Sequence, residues 1–227
     1  MYAFGAYNSV MMNEKRRFNS STDEMWRLFI AVPLPSDVRE IVGEIEETLT
    51  PLGWPVRWVD PGLAHITLKF LGDTRADCVP MVERELSPVA ARGQVAEAVV
   101  GNVGAFPSKN KARVIWLGLD GDLSQLAGLA QNVDHAMARM GFAAEARPFR
   151  PHITVGRLRQ GKNPPVDFGD AVNKLDIPRM RVPIDRIQLV RSVLGRARPT
   201  YITLSEWPLR MSSNENVITR VELVEHG

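Results

Sequence analysis

Cysteine is almost missing from this sequence: Cys78 is the only one among 227 residues. That excludes an internal disulfide and any multi-cysteine zinc site, and it suits a reducing compartment. No stretch reaches the roughly 18 apolar residues that read as a membrane span. The polar, Asn- and Ser-containing start before Met25 lacks the continuous apolar segment of a secretory signal, and Arg16-Arg17 runs into Phe-Asn-Ser-Ser, a poor match to twin-arginine export. The expectation is a cytoplasmic protein with no membrane association. Charge of one sign is scarce as well: 28 Lys and Arg against 26 Asp and Glu leave a net +2, too little for the whole surface to attract nucleic acid. Attraction for phosphate must then be local. Three basic clusters stand out: Lys109, Lys111 and Arg113; Arg147 and Arg150; Arg191, Arg196 and Arg198. Histidine occurs only four times, and H-E-x-x-H, C-x-x-C and G-x-S-x-G are all absent, so zinc-hydrolase and Ser-His-Asp readings lack support.

What is present is an ordinary globular composition, 44% apolar and 24% charged. The length allows one substantial core near the size at which cores begin to divide. Residues 1–25 read as a flexible extension, 26–209 as the folded domain, and 210–227 as a tail with a candidate edge strand at 217–224. The first buried strand is 27–32. Ser36 is the expected N-cap of a helix over 37–49, with Val38, Ile41, Val42, Ile45 and Leu49 on one face and Pro51 ending it. A polar turn leads to an alternating strand, 65–71, stopped by Gly72-Asp73. A helix over 76–91 follows, then strands 94–103 and 112–119 around a loop at 104–111, and a helix over 122–140. Strands at 152–155, 181–194 and 200–206 complete the pattern. Because strands often succeed one another without a helical crossover, the expected class is α+β with an antiparallel sheet.

The most informative feature is an echo. His65-Ile66-Thr67-Leu68 recurs as His152-Ile153-Thr154-Val155. In a strand successive side chains alternate faces, so His and Thr emerge together while Ile and Leu or Val enter the core. If the two strands lie side by side, two imidazoles and two hydroxyls converge on one cleft. Imidazole titrates near pH ~6.5, so one copy can accept a proton while the other donates one. Phosphodiester cleavage needs both events, and hydroxyls can donate to the non-bridging oxygens where charge gathers. A single H-x-T would be an ordinary strand residue pair; two in equivalent contexts point to a site. The other histidines, His135 on the solvent side of its helix and His226 in the tail, carry no such pattern. By alternation Phe70 belongs to the core, while Tyr201, Trp54 and Trp58 are the candidates for stacking on a base.

These motifs resemble those of the 2H phosphoesterase superfamily, and specifically its RNA 2',3'-cyclic phosphodiesterase branch, also called 2'-5' RNA ligase. The opening R-L-F-I-A-V-P-L-P of residues 27–35, H-I-T-L-K-F-L-G of 65–72, A-R-V-I-W-L-G of 112–118, R-P-F-R-P-H-I-T of 147–154 and the closing segment from Ser192 through Tyr201 to Trp207 carry the resemblance. It implies a bilobal α+β fold, with two mainly antiparallel sheets related by a pseudo-twofold, helices outside and a central cleft. It implies hydrolysis of RNA 2',3'-cyclic phosphate ends, or of cyclic nucleotides, to 2'-phosphomonoesters by a monomer with no cofactor and no metal. His65 would be the proton donor and His152 the proton acceptor, with Thr67, Thr154 and Arg157 binding phosphate. Strict alternation places Arg157 on the face opposite His152, so that role needs a bulge or strand end near Gly156. The same residues would serve 2',5' ligation, the reverse transesterification. A nucleotide-binding protein without catalysis is the third reading.

Overall fold

A computed structural model of the chain describes residues 24–195 and 198–211. The expected extension before residue 24, the strand at 217–224, His226 and Arg196 lie outside the described residues. Glu24 and Met25 are already part of the fold: the Glu24 carbonyl accepts from the Ala76 amide at 2.8 Å, and Met25 opens the first strand. At the other end Arg210 exchanges backbone hydrogen bonds with Gly93 and Val95 at 2.9 Å each.

The elements run β1 (Met25–Pro33), α1 (Ser36–Leu49), β2 (Val56–Trp58), β3 (His65–Arg75), α2 (Val79–Arg92), β4 (Ala96–Phe106), β5 (Val114–Asp120), α3 (Ser124–Arg139), β6 (His152–Leu158), α4 (Phe168–Asn173), β7 (Arg181–Ile184), β8 (Arg186–Leu194) and β9 (Pro199–Pro208). Every pairing between these strands is antiparallel. The class is α+β. The sheet order is β7-β4-β5-β6-β3-β1-β8-β9, with β2 added along β6.

That order divides into two four-stranded halves, β9-β8-β1-β3 and β7-β4-β5-β6, which meet where β3 and β6 pair through Ile66 and Ile153. Each half begins with a central strand and a long helix (β1 then α1; β5 then α3) and continues into an H-I-T strand (β3; β6). Each also takes a strand from the other half of the chain: β4, made before β5, pairs with β5 in the half that holds β6, while β8, made after β6, pairs with β1 in the half that holds β3. The halves are therefore interlaced, and neither is a continuous stretch of chain.

The expected face of α1 is the buried one, Val38, Ile41, Val42, Ile45 and Leu49. Its cap differs: Ser36 is the first helical residue, Pro35 in an extended conformation is the N-cap, and no side chain caps the turn. Helices α1 to α3 lay such faces on one side of the sheet and share a single apolar core with Leu28, Ile30, Val32, Ile66, Ile115, Leu117, Ile153, Val155, Ile187 and Leu189. The opposite face is left open and carries a separate small cluster of Phe29, Ala31 and Val190, with Tyr201 packed against it.

Several elements depart from the sequence expectation: the strand expected over 181–194 is two strands, β7 and β8, at separate places in the sheet, and β3 runs past Gly72-Asp73 to Arg75. Strand β4 runs on through Gly104 to Phe106, because the indole of Trp116 on β5 lies across Gly104 in space that a Cβ would fill. Residues 56–58, read as part of a polar turn, form β2. The six-residue α4, absent from the expectation, anchors itself with one large side chain, Phe168, packed at 5.2 Å from Trp54.

Candidate active site

The register of the two central strands places the motif residues. With Ile66 opposite Ile153 in an antiparallel pair, one step either way sets His65 across from Thr154 and Thr67 across from His152. Directly opposed side chains lie about 5 Å apart at Cβ. The two H-x-T motifs thus interleave around a local twofold on the open face of the sheet.

Both motif strands then break alternation at the same place. In β3 the pairing to β1 passes from Thr67 to Lys69, leaving Leu68 as a bulge. In β6 the pairing to β5 passes from Thr154 to Gly156, leaving Val155 as a bulge. An extra residue reverses the parity of everything after it. Consequently Leu68 and Lys69 both face the helices, Val155 and Gly156 likewise, and the fifth residue after each histidine returns to the open face. Those residues are Phe70 and Arg157. Phe70 is 56% exposed and lies 5.9 Å from the Phe29 ring, not in the core. Arg157 stands on the same face as His152, as the bulge alternative required. Lys69, 2% exposed, is turned instead toward α3, where it donates to the Asp134 carboxylate at 2.5 Å and the Ala143 carbonyl at 2.8 Å.

The imidazoles are held in matching ways. His65 Nδ1 is 2.8 Å from the Leu63 carbonyl and His152 Nδ1 is 2.8 Å from the Arg150 carbonyl. A carbonyl can only accept, so Nδ1 carries the proton in each ring and Nε2 is left for chemistry. Their surroundings differ. His65 stacks on Phe29 with centroids 4.7 Å apart and meets the edge of Tyr201 at 5.6 Å, whereas His152 meets, among the rings of the described residues, only Phe106, edge-on at 5.0 Å. Burial lowers the pKa of both histidines, and the Arg157 charge lowers each further; His65 also feels His152. The backbone hydrogen bonds to Leu63 and Arg150 oppose this shift without cancelling it. Neither Thr67 nor Thr154 has a side-chain partner among the described residues, so both hydroxyls are open to a ligand.

Arg157 is exposed as a residue, yet desolvation is the strongest influence on its guanidinium and lowers its pKa. Across the β2–β6 ladder it faces Arg57. The Tyr201 hydroxyl is pushed up by burial, while the charges of Arg157, Arg57 and Arg27 pull the other way. Of the stacking candidates only Tyr201 stands at the histidines. Trp54 packs on Phe168, and Trp58 covers Gly156 from the helix side, where a Cβ would come within 2.9 Å of the indole. Among the basic clusters, Arg150 contributes its carbonyl, and Arg191 and Arg198 are ion-paired to Glu24 and Asp60. His135 is exposed on α3, away from the site. No group of three or more His, Cys, Asp or Glu side chains suited to a metal is assembled among the described residues. Phe29, Phe106 and Arg57 were missed from sequence. Simple alternation along β1 would have shown Phe29 opposite in face to Leu28 and Ile30; nothing comparable marks Arg57, which lies in a three-residue strand.

Residues 29–116 and 117–201 each match the family model described as LigT-like phosphoesterase, one copy per half of the chain. The RNA 2',3'-cyclic phosphodiesterase of Archaeoglobus fulgidus is 33% identical over 176 residues, covering 77% of this chain and 96% of that protein. The enzyme of the same name from Methanothermobacter thermautotrophicus is 30% identical over 185 residues, covering 81% and 98%. Among solved structures, Escherichia coli LigT complexed with 3'-AMP matches with a TM-score of 0.65 and 27% identity, over 82% of this chain and 99% of that one.

Proposed function

The chain belongs to the LigT-like phosphoesterase family, and from that premise we propose that it opens RNA 2',3'-cyclic phosphate ends to 2'-phosphomonoesters by acid–base catalysis between His65 and His152, without a metal. The observation that carries this reading is the interleaved pair of H-x-T strands, each imidazole fixed through Nδ1 and offering Nε2 to one cleft.

The cyclic phosphate sits between the two Nε2 atoms. His152, neutral, takes a proton from water as its oxygen attacks phosphorus opposite the bond to O3'. That bond breaks, and His65, protonated, delivers its proton to O3'. The products are a 2'-phosphomonoester and a free 3' hydroxyl, and exchange with solvent returns both rings to their starting states. Thr67, Thr154 and Arg157 supply hydroxyl and guanidinium donors to the non-bridging oxygens, where negative charge accumulates. A guanidinium keeps its charge at any working pH, so a modest lowering of the Arg157 pKa leaves this role intact. The stacked Phe29 ring restricts His65 to one orientation while excluding water from its flank.

The test is incubation with a 2',3'-cyclic nucleotide and with cyclic-ended RNA in the presence of EDTA, followed by product identification. A 2'-phosphate product supports the proposal. No turnover of either substrate, or turnover abolished by EDTA and restored by zinc, overturns it.

A further inference from the structure

The cleft holds more positive charge than one phosphate requires. Arg57 and Arg157 stand directly opposite each other across the β2–β6 ladder, an arrangement that costs stability for like charges unless something offsets it. Neither guanidinium has a carboxylate partner among the described residues. The acidic side chain closest to Arg57 along the chain, Asp60, is already engaged by Arg198 at 2.9 Å and by the Gly62 amide at 3.0 Å. Arg27 on β1 pairs in register with Asp73 and Ser192 but forms no ion pair there. By contrast, Arg181, Arg186 and Arg191 elsewhere on the sheet, and Arg179 just before β7, are each bridged to a carboxylate. The three unpaired cations all bear on one hydroxyl, that of Tyr201, which is half-buried beside His65.

A cyclic phosphate diester carries one negative charge and two non-bridging oxygens. Thr67, Thr154 and Arg157 are enough to saturate both. Arg57 lies about 5 Å from Arg157 across the ladder, on the same side of β6 as the strand that carries His65, and Arg27 on β1 is in register with Tyr201 across β8. We propose that Arg57, assisted from β1 by Arg27, binds a second phosphate, the one attached to the 5' oxygen of the terminal nucleotide, so that the cleft selects oligonucleotide ends over lone cyclic nucleosides. The proposal rests on the cyclic phosphodiesterase reading and names the substrate within it. An exposed guanidinium contact of this kind depends on charge, so its contribution weakens as salt rises.

The experiment compares kcat/KM of the intact chain on a nucleoside 2',3'-cyclic phosphate bearing a 5' hydroxyl, on the same compound bearing a 5' phosphate, and on a dinucleotide ending in a cyclic phosphate. The expected result is a preference of about tenfold or more for the two substrates with a 5'-linked phosphate, shrinking between low and high salt. In Arg57→Gln that ratio falls toward one, and Arg57→Lys keeps part of it. Equal kcat/KM on all three substrates in the native chain overturns the proposal, as does an Arg57→Gln chain that loses activity on all three by the same factor. Absence of turnover on every substrate would instead refute the catalytic reading beneath it.

Discussion

At the scale of single residues, the two histidines are alike in backbone anchorage and unlike in surroundings. Burial and the Arg157 cation both disfavour imidazolium, so each pKa lies below the ordinary value in the free protein. The donor must be protonated and the acceptor neutral. Activity on free protein and substrate therefore falls at low pH as the acceptor is protonated, and falls again as pH rises through the depressed pKa of the donor. The expected kcat/KM profile is a bell whose maximum lies on the acid side of about pH 6.5. Replacing Arg157 with Gln removes the repulsion on both rings, so both limbs move to higher pH while kcat/KM at the maximum drops by roughly tenfold to a hundredfold from the lost phosphate contact. A profile measured on both proteins checks this; limbs that stay in place would mean that the Arg157 charge does not reach the rings.

At the scale of elements, the bulges after Thr67 and Thr154 decide what the cleft contains. The faces of α1, β3 and β6 up to the threonines were legible in the sequence, because apolar periodicity alone specifies them. The parity beyond Leu68 and Val155 was not, since a bulge is visible only in the pairing with a neighbouring strand. Counting by twos therefore assigned Phe70 to the core and left Arg157 conditional on a bulge. Strand β2 was hidden for a related reason: three residues are too few to show alternation, and Arg57 was lost with it. Gly156 is the position where the second bulge is most exposed to challenge, because an added Cβ would lie 2.7 Å from Val56 Cγ1 and 2.9 Å from Trp58 Cε3. Gly156→Val is expected to push β2 away from β6, costing about 1–3 kcal/mol of stability and moving Arg57 and Arg157 together. Urea unfolding alongside kcat/KM reads both effects; a variant with native stability and native activity would show that the close approach of β2 is unimportant.

At the scale of the whole molecule, the interlaced halves meet at Ile66 and Ile153, and buried side chains tie them together behind the sheet. Lys69 on β3 reaches Asp134 on α3 and the Ala143 carbonyl, while the Glu145 amide also donates to Asp134. Desolvation works against the Asp134 carboxylate, but the hydrogen bonds from Lys69 and Glu145 hold its pKa low. Together they pin residues 143–145, which lead toward Arg150 and His152, to the strand that carries His65. Lys69→Met leaves Asp134 partly buried without its counter-ion, with an expected loss on the order of 3 kcal/mol, and a second change, Asp134→Leu, is expected to recover much of it. Denaturant titrations of the three proteins test the pair. The echoed motif made the pairing of His65 and His152 on one face legible in the sequence, whereas the exchange of β4 and β8 between halves was not, because strand partners far apart in the chain leave no local trace.

The claim on which all else depends is that His65 and His152 form one acid–base pair. It is tested most directly by kcat/KM on cyclic-ended RNA, in EDTA, for His65→Ala, His152→Ala and the double variant. Each single change is expected to lose about 10²- to 10⁴-fold, with the double variant little worse than the poorer single one, as for groups that act as a unit. A single variant that retains most of its activity, or losses that multiply in the double variant, would contradict the pair.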